Sequence, residues 1–189
     1  MKAYLFTTEE IAQEAVAYGI KLSHIATGYV CVYGKEHPCL ETYLHPADCP
    51  KSQRGTAVLK LQLEDNKAFV GEGMLSGERY ISSLIPAKEY RLGTYRHPRC
   101  LVIASIFAEQ IERYDSNMDE PLLYERSESL YRDCVLASVQ ESDAFKELSL
   151  RAYYEQEALQ GRVTKIEEED YVVFTSLTEE KTLFGYSKT

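Results

Sequence analysis

Lys2-Ala3-Tyr4-Leu5-Phe6-Thr7-Thr8-Glu9-Glu10-Ile11-Ala12-Gln13-Glu14-Ala15-Val16-Ala17-Tyr18-Gly19 opens the chain with a strand, a helix and a stop. Residues 2–6 read as a short strand. Thr7 stands three before Glu10, the spacing of a capping box in which a threonine oxygen and a glutamate each satisfy an N–H at the end of a helix. Ile11, Ala12, Ala15, Val16 and Tyr18 then recur at helical spacing, and Gly19 falls where a left-handed residue ends a helix. The rest of the chain keeps mixing the two patterns. The expected fold is therefore α+β, a mixed or antiparallel sheet with flanking helices and a C-terminal region of two helices and a hairpin.

Working outward, residues 28–33 alternate and are rich in β-formers, which predicts a second strand. Residues 34–55 hold prolines, histidines and cysteines and read as a long loop with one helical turn near residues 40–44. Residues 56–63 and 67–70 predict a hairpin turned at Asp65-Asn66, and Gly71, Gly73 and Gly77 a loop. Residues 79–85 predict a strand, the unbroken apolar run 100–106 a buried strand, and 107–114 a helix. Beyond Asp115, Pro121 is placed in the first turn of a helix. Two helices are expected across 121–160 with a break near Ser142 and a stop at Gly161, then a hairpin of 171–177 and 182–186 turned at 178–181. This divides the chain into a core domain, 1–119, and an acidic region, 120–189, packed on it.

The 189 residues suffice for a self-supporting core. A formal net charge of −9 argues against non-specific binding to nucleic acid or an anionic membrane. The charge is uneven: residues 120–189 carry fifteen acids and eight bases, whereas 79–99 carry five bases and one acid. No secretory segment follows Met1, and no apolar run reaches the roughly 18 residues of a membrane span. Five cysteines at irregular spacing fit reduced thiols. The expected location is cytoplasmic.

The local reversal of charge singles out residues 86–100. Lys88, Arg91, Arg96 and Arg99 offer a cation and three guanidinium forks to a phosphate or carboxylate. Tyr90 and Tyr95 offer ring faces to a base or sugar, and Gly93 lets the backbone approach a ligand. The alternative is a solvated loop whose arginines pair with the acidic C-terminal region. A second cluster, His37, Cys39, His45 and Cys49, has the ligand chemistry of a tetrahedral zinc site. Its spacing matches no standard finger, and Pro38, Pro46 and Pro50 account equally well for a stiff loop without metal. Cys31, Cys100 and Cys134 read as small core residues. No P-loop, dinucleotide fingerprint, His-Glu-x-x-His or Gly-x-Ser-x-Gly pattern is present.

Tyr4-Leu5-Phe6-Thr7, the helix 8–18 and Gly19-Ile20-Lys21-Leu22-Ser23 together resemble the opening of ADP-ribosyltransferase-fold proteins, including the DNA-targeting transferases and the tRNA 2′-phosphotransferases. Residues 100–111 similarly resemble the late strand and turn that close that fold, so the likeness spans about residues 1–114. The resemblance implies an α+β cleft, NAD as the cofactor, and arginines stabilising the departing group as ADP-ribose moves. Leu5 stands where those families carry their NAD-contacting histidine. Glu72 and Glu109 are the loose counterparts of the late glutamate. The functional expectation is a nucleotide or other phosphorylated ligand bound through Arg91, Arg96 and Arg99 with Tyr90 and Tyr95 stacking. The alternative is a non-enzymatic regulatory or interaction protein whose acidic helical region, 120–160, engages a basic protein partner, with the basic island an internal counter-surface.

Overall fold

In the computed structural model of the chain, which describes residues 1–64, 67–115, 122–141, 146–177 and 181–188, the opening stretch folds as its pattern dictates. β1 (Lys2–Thr7) leads into α1 (Glu9–Tyr18), and Gly19 ends the helix at φ 82°. The cap is Thr8 rather than Thr7: its hydroxyl oxygen accepts the Ile11 N–H at 3.4 Å. Thr7 is still in the sheet, opposite Ala57. Its backbone is extended for the ladder, and the next threonine takes the helix end.

The chain divides into two units, Met1–Asp133 and Cys134–Thr189. The first is α+β and is built on one eight-stranded antiparallel sheet. Its further strands are β2 (Gly28–Val32), β3 (Lys35–Tyr43), β4 (Ala57–Gln62), β5 (Ala68–Glu72), β6 (Ile85–Pro86), β7 (Pro98–Val102) and β8 (Ile111–Arg113). The short helices α2 (Leu22–Ile25) and α3 (Gly77–Ser82) belong to the same unit. The strand order is β6-β5-β7-β3-β1-β4-β8, with β2 on β3.

Four expectations are corrected. Residues 35–43 are a strand, not loop, because Pro38 lies opposite Tyr29 at a position where the ladder needs no N–H. Residues 56–63 and 67–70 do not pair with each other. β4 alternates and lies between β1 and β8, whereas β5 is buried on both faces and lies between β7 and β6; the turn read at Asp65-Asn66 falls outside the described residues. Residues 79–85 begin in α3, and the helix with the turn that follows it brings Tyr80 and Leu84 onto the same cluster. Residues 107–114 form one 3₁₀ turn (Ala108–Gln110) and then β8, in which only Ile111 is buried. The expected features at Pro121, at Ser142 and in most of the turn 178–181 also lie outside the described residues.

Strand alternation splits the core of this unit in two. Leu5, Leu59, Leu61, Val70 and Val102 turn one way and meet Ala12 and Ala15 of α1. Phe69, Leu101 and Cys39 turn the other way and meet Val30 and Val32 of β2 with Tyr80 and Leu84. The four cysteines of the unit follow these faces imperfectly. Cys100, Cys39 and Cys49 are buried, while Cys31, expected inside, is exposed; Cys134, at the start of the second unit, is exposed as well.

The boundary between units falls within α4 (Ser127–Glu141), which is followed by α5 (Lys146–Leu159), so two helices are present, but the first starts at Ser127 and not at Pro121, since residues 122–126 are not helical. The closing hairpin is also present as β10 (Tyr171–Ser176) and β11 (Thr182–Ser187). The sequence pattern missed β9 (Val163–Glu167), which completes a three-stranded sheet and is exposed along most of its length. Phe174, Tyr154 and Tyr186 form the buried centre of this unit, with the Tyr154 and Phe184 rings stacked at 5.3 Å. Glu157, buried at the end of α5, is held by two nitrogens of Arg162 at 2.9 Å each. Among the described residues no helix is long and apolar enough to cross a membrane.

Candidate binding groove

The second face of the large sheet is where the polar groups gather. Gly71 on β5 and Gly73 just past its end lie two apart and so share one face, with Glu72 between them on the other. A Cβ on Gly71 would come within 2.9 Å of the Tyr80 ring, and one on Gly73 within 2.7 Å of Arg99 Cγ and Nε. The two glycines thus make room on the sheet, one for the Tyr80 ring and one for the arginine. Arg99 lies opposite Gly71 across β5 and β7. Glu41 lies opposite Leu101 across β3 and β7, one step along the same face, and its Oε1 accepts from Arg99 Nη1 at 2.7 Å.

These residues border a groove of about 380 Å³. One wall is Thr27, Gly28, Tyr29, Val30 and Cys31, a run without gaps from the residue before β2 into that strand. The opposite wall is Leu75, Ser76, Gly77, Tyr80 and Ile81, and Glu41, Arg99 and Leu101 belong to the same lining. Thr27 Oγ1 accepts the Glu41 N–H at 2.9 Å, which ties the ion pair to the start of β2. Arg99 and Glu41 are each about a third exposed. An ion pair that wet is worth at most ~1 kcal/mol, so it orients the guanidinium without consuming it. The other N–H groups of Arg99 have no partner among the described residues. Burial, followed by the neighbouring Glu41 carboxylate, pushes the Tyr80 phenol up to about 12. It is a neutral donor at neutral pH. Burial and Glu41 push the Cys39 thiol up in the same way, which keeps it protonated.

Of the six basic-island residues, only Arg99 borders the groove. Lys88 is exposed beside Glu89, and Arg91 is exposed on a turn. The Tyr90 and Tyr95 rings meet at 5.7 Å and pack on the main core, and the Tyr95 hydroxyl donates to the Ser83 carbonyl. Both rings are partly buried in this packing. Arg96 lies over the Tyr131 ring at 5.1 Å and pairs with Glu128 at 3.5 Å. What orders the island is Glu72. Its carboxylate accepts the backbone N–H groups of Arg96 at 2.8 Å, His97 at 3.1 Å and Met74 at 3.3 Å.

The chain matches no family model, no curated protein and no solved structure. What the groove can do therefore rests on its own chemistry.

The proposed zinc ligands are dispersed. His45 Nδ1 accepts the Ala47 N–H at 3.1 Å and Nε2 donates to the Tyr124 carbonyl at 2.9 Å, so both nitrogens serve the fold. Cys39 packs with Val30 and Val32, His37 lies opposite Val30, and the Cys49 thiol faces the Pro50 carbonyl. Among the described residues no three His, Cys, Asp or Glu side chains gather as a metal set would require. Of the residues matched to the transferase pattern, Leu5 is buried in the main core, Glu72 is the loop anchor and Glu109 is exposed on the 3₁₀ turn. The sequence reading missed Thr27, Tyr29, Glu41 and Tyr80. The nearest signal in the sequence is Gly71-x-Gly73, two glycines at strand spacing that clear one face without saying which residues fill it.

Proposed function

We propose that the first unit is a binding module that takes a carboxylate- or phosphate-bearing ligand in this groove, with Arg99 holding the anion. The observation that carries the reading is the half-used guanidinium: Glu41 accepts from Nη1, the other donors have no partner among the described residues, and the arginine lines the groove. Guanidinium edges of this kind match planar or tetrahedral oxyanions in a bidentate way. Tyr80, neutral at neutral pH, lines the same groove. A volume of about 380 Å³ is at the low end of the ~300–1,000 Å³ typical of small-molecule sites. That suits a mononucleotide or a smaller acid better than a dinucleotide such as NAD.

The test is a thermal-shift and calorimetry panel of inorganic phosphate, AMP, ADP-ribose, NAD and small dicarboxylates on the parent and on Arg99→Gln. A ligand at about a hundred times its Kd adds roughly 2.7 kcal/mol of stability. The expected result is a shift with at least one anion that is lost in Arg99→Gln and retained in Arg91→Gln. An anion-dependent shift of equal size in Arg99→Gln would overturn the assignment.

A further inference from the structure

The wall formed by β2 has a property that a small-molecule site does not need. Side chains of a strand alternate between faces, so five successive residues lining one groove means that the edge of the strand, with its backbone groups, faces the groove. The ladder fixes which groups those are. Tyr33 and Gly34, at φ 51° and 74°, make the two-residue turn between β2 and β3, and such a turn makes Val32 and Lys35 a hydrogen-bonded pair. Antiparallel pairs alternate, so Val30 with His37 is bonded while Cys31 with Glu36 and Tyr29 with Pro38 are not. Pro38, which has no N–H, occupies one of the unbonded places. The N–H and C=O groups of Tyr29 and Cys31 therefore point away from β3, and they have no hydrogen-bond partner among the described residues.

We infer that the ligand of the groove is the C-terminal end of an extended polypeptide, added to β2 as an antiparallel strand with its terminal carboxylate on Arg99. The inference rests on the anion site proposed above and names the molecule that carries the anion. Direction follows from position. Thr27 binds Glu41, so the Glu41–Arg99 pair is at the N-terminal end of β2. An antiparallel strand brings its own C-terminus to that end, and a parallel one would take it to Val32. With the last residue opposite Thr27, the third from the end pairs with Tyr29 and the fifth with Cys31, a reach of five residues or about 17 Å. Edge addition of this kind draws affinity from main-chain hydrogen bonds and specificity from alternate side chains. The side chain next to the last falls over Gly28, where a Cβ would meet nothing within 4 Å, on the same face as Val30. An aliphatic or aromatic residue fits there.

The test uses the full chain and a fluorescein-labelled library of hexapeptides, all with free C-terminal carboxylates and with apolar residues at the position next to the last. Anisotropy should find binders whose C-terminal amides bind at least tenfold more weakly. N-methylation of the third residue from the end should cost tenfold or more, whereas N-methylation of the second, whose N–H points away from β2, should change affinity less than threefold. In hydrogen exchange, the amides of Tyr29 and Cys31 should become protected on binding. Acid and amide forms binding equally, or N-methylation at both positions acting alike, would overturn the inference. If no peptide in the library binds while AMP or phosphate shifts the parent through Arg99, the anion site stands and the peptide end is excluded. If neither peptide nor small anion binds, both readings fall.

Discussion

Replacing Gly73 with alanine tests the sheet face on which the groove rests. The backbone of Gly73 is not in the left-handed region, so an alanine fits its φ and ψ, and only space opposes it. A Cβ there would lie 2.7 Å from Cγ and Nε of Arg99 and 2.8 Å from the His97 carbonyl oxygen. The arginine can swing away. The carbonyl cannot easily follow, because it accepts the Gly73 N–H at 2.8 Å and leads directly into β7. Ordinary contact starts near 3.4 Å, so that oxygen must retreat by about 0.6 Å against its own hydrogen bond. Overpacking of this kind costs ~1–3 kcal/mol, against a gain of ~0.4–1 kcal/mol from stiffening the unfolded chain. The net loss is about 1–2 kcal/mol. The chain has no tryptophan, so far-UV circular dichroism rather than indole fluorescence is the signal for a urea titration. Gly28→Ala, where a Cβ meets nothing, is the control and should be neutral or slightly stabilising. A Gly73→Ala variant as stable as Gly28→Ala, with binding through Arg99 intact, would refute the close packing of Arg99 against β5.

Other changes report on other parts of the molecule. Glu72→Ala removes the acceptor of three backbone N–H groups and should cost about 2–4 kcal/mol by denaturant titration; a loss below ~0.5 kcal/mol would show that the loop before β7 needs no anchor. Burial holds the His45 imidazole below its ordinary range, against opposing effects of Asp48 and the Tyr124 carbonyl. The unfolded chain therefore takes up a proton at His45 more readily than the folded one. The stability that depends on a neutral His45 is full above about pH 6.5 and declines as the pH falls through that value towards the lower folded pKa. The stability difference between the parent and His45→Gln should shrink on going from pH 7.5 to pH 5.5, and a difference independent of pH would contradict the assignment. Glu157→Ala leaves Arg162 without its bidentate partner. Because that arginine is about a third exposed, the loss should fall below the ~3–5 kcal/mol of a fully buried pair, and it should appear in the amide exchange of β10 and α5.

The elements that were legible in the sequence are those whose pattern is local. β1, α1 and its glycine stop, α5 and the hairpin of β10 and β11 each carry their own period and boundaries and are present close to where they were expected, whereas α4 is present but starts at Ser127, later than the expected start at Pro121. β3 was hidden because its proline and histidine suggest a loop, and only its partner β2 shows that Pro38 occupies a place where no N–H is required. The pairing of β4 and β5 was misread for a related reason: two adjacent strands suggest a hairpin, but each is buried between more distant partners. Arg99 was singled out by composition, and its neighbours in the island were not separable from it by composition alone. Their distribution among Glu128, the core and solvent depends on which face of which strand each residue occupies. Glu41 and Tyr80 could not be linked to Arg99 from the sequence, since only the register of β3, β5 and β7 brings them to one face.

The strand order of the large sheet also governs how the chain reaches this state. β1 precedes the other strands of its sheet, yet Lys2 pairs with Gln62 and Tyr4 with Tyr43, so it waits for partners made tens of residues later. Among the described residues of the large sheet, only the β2–β3 turn is a tight local closure, whereas β9, β10 and β11 form a simple meander of near neighbours. Pairings between distant segments carry the loop-closure cost in advance and form slowly. The second unit should therefore acquire structure faster than the first in refolding, with the β2–β3 hairpin as the earliest fixed point of the large sheet. The same edge that faces the groove in the finished protein would then be among the first surfaces exposed while the chain is still assembling.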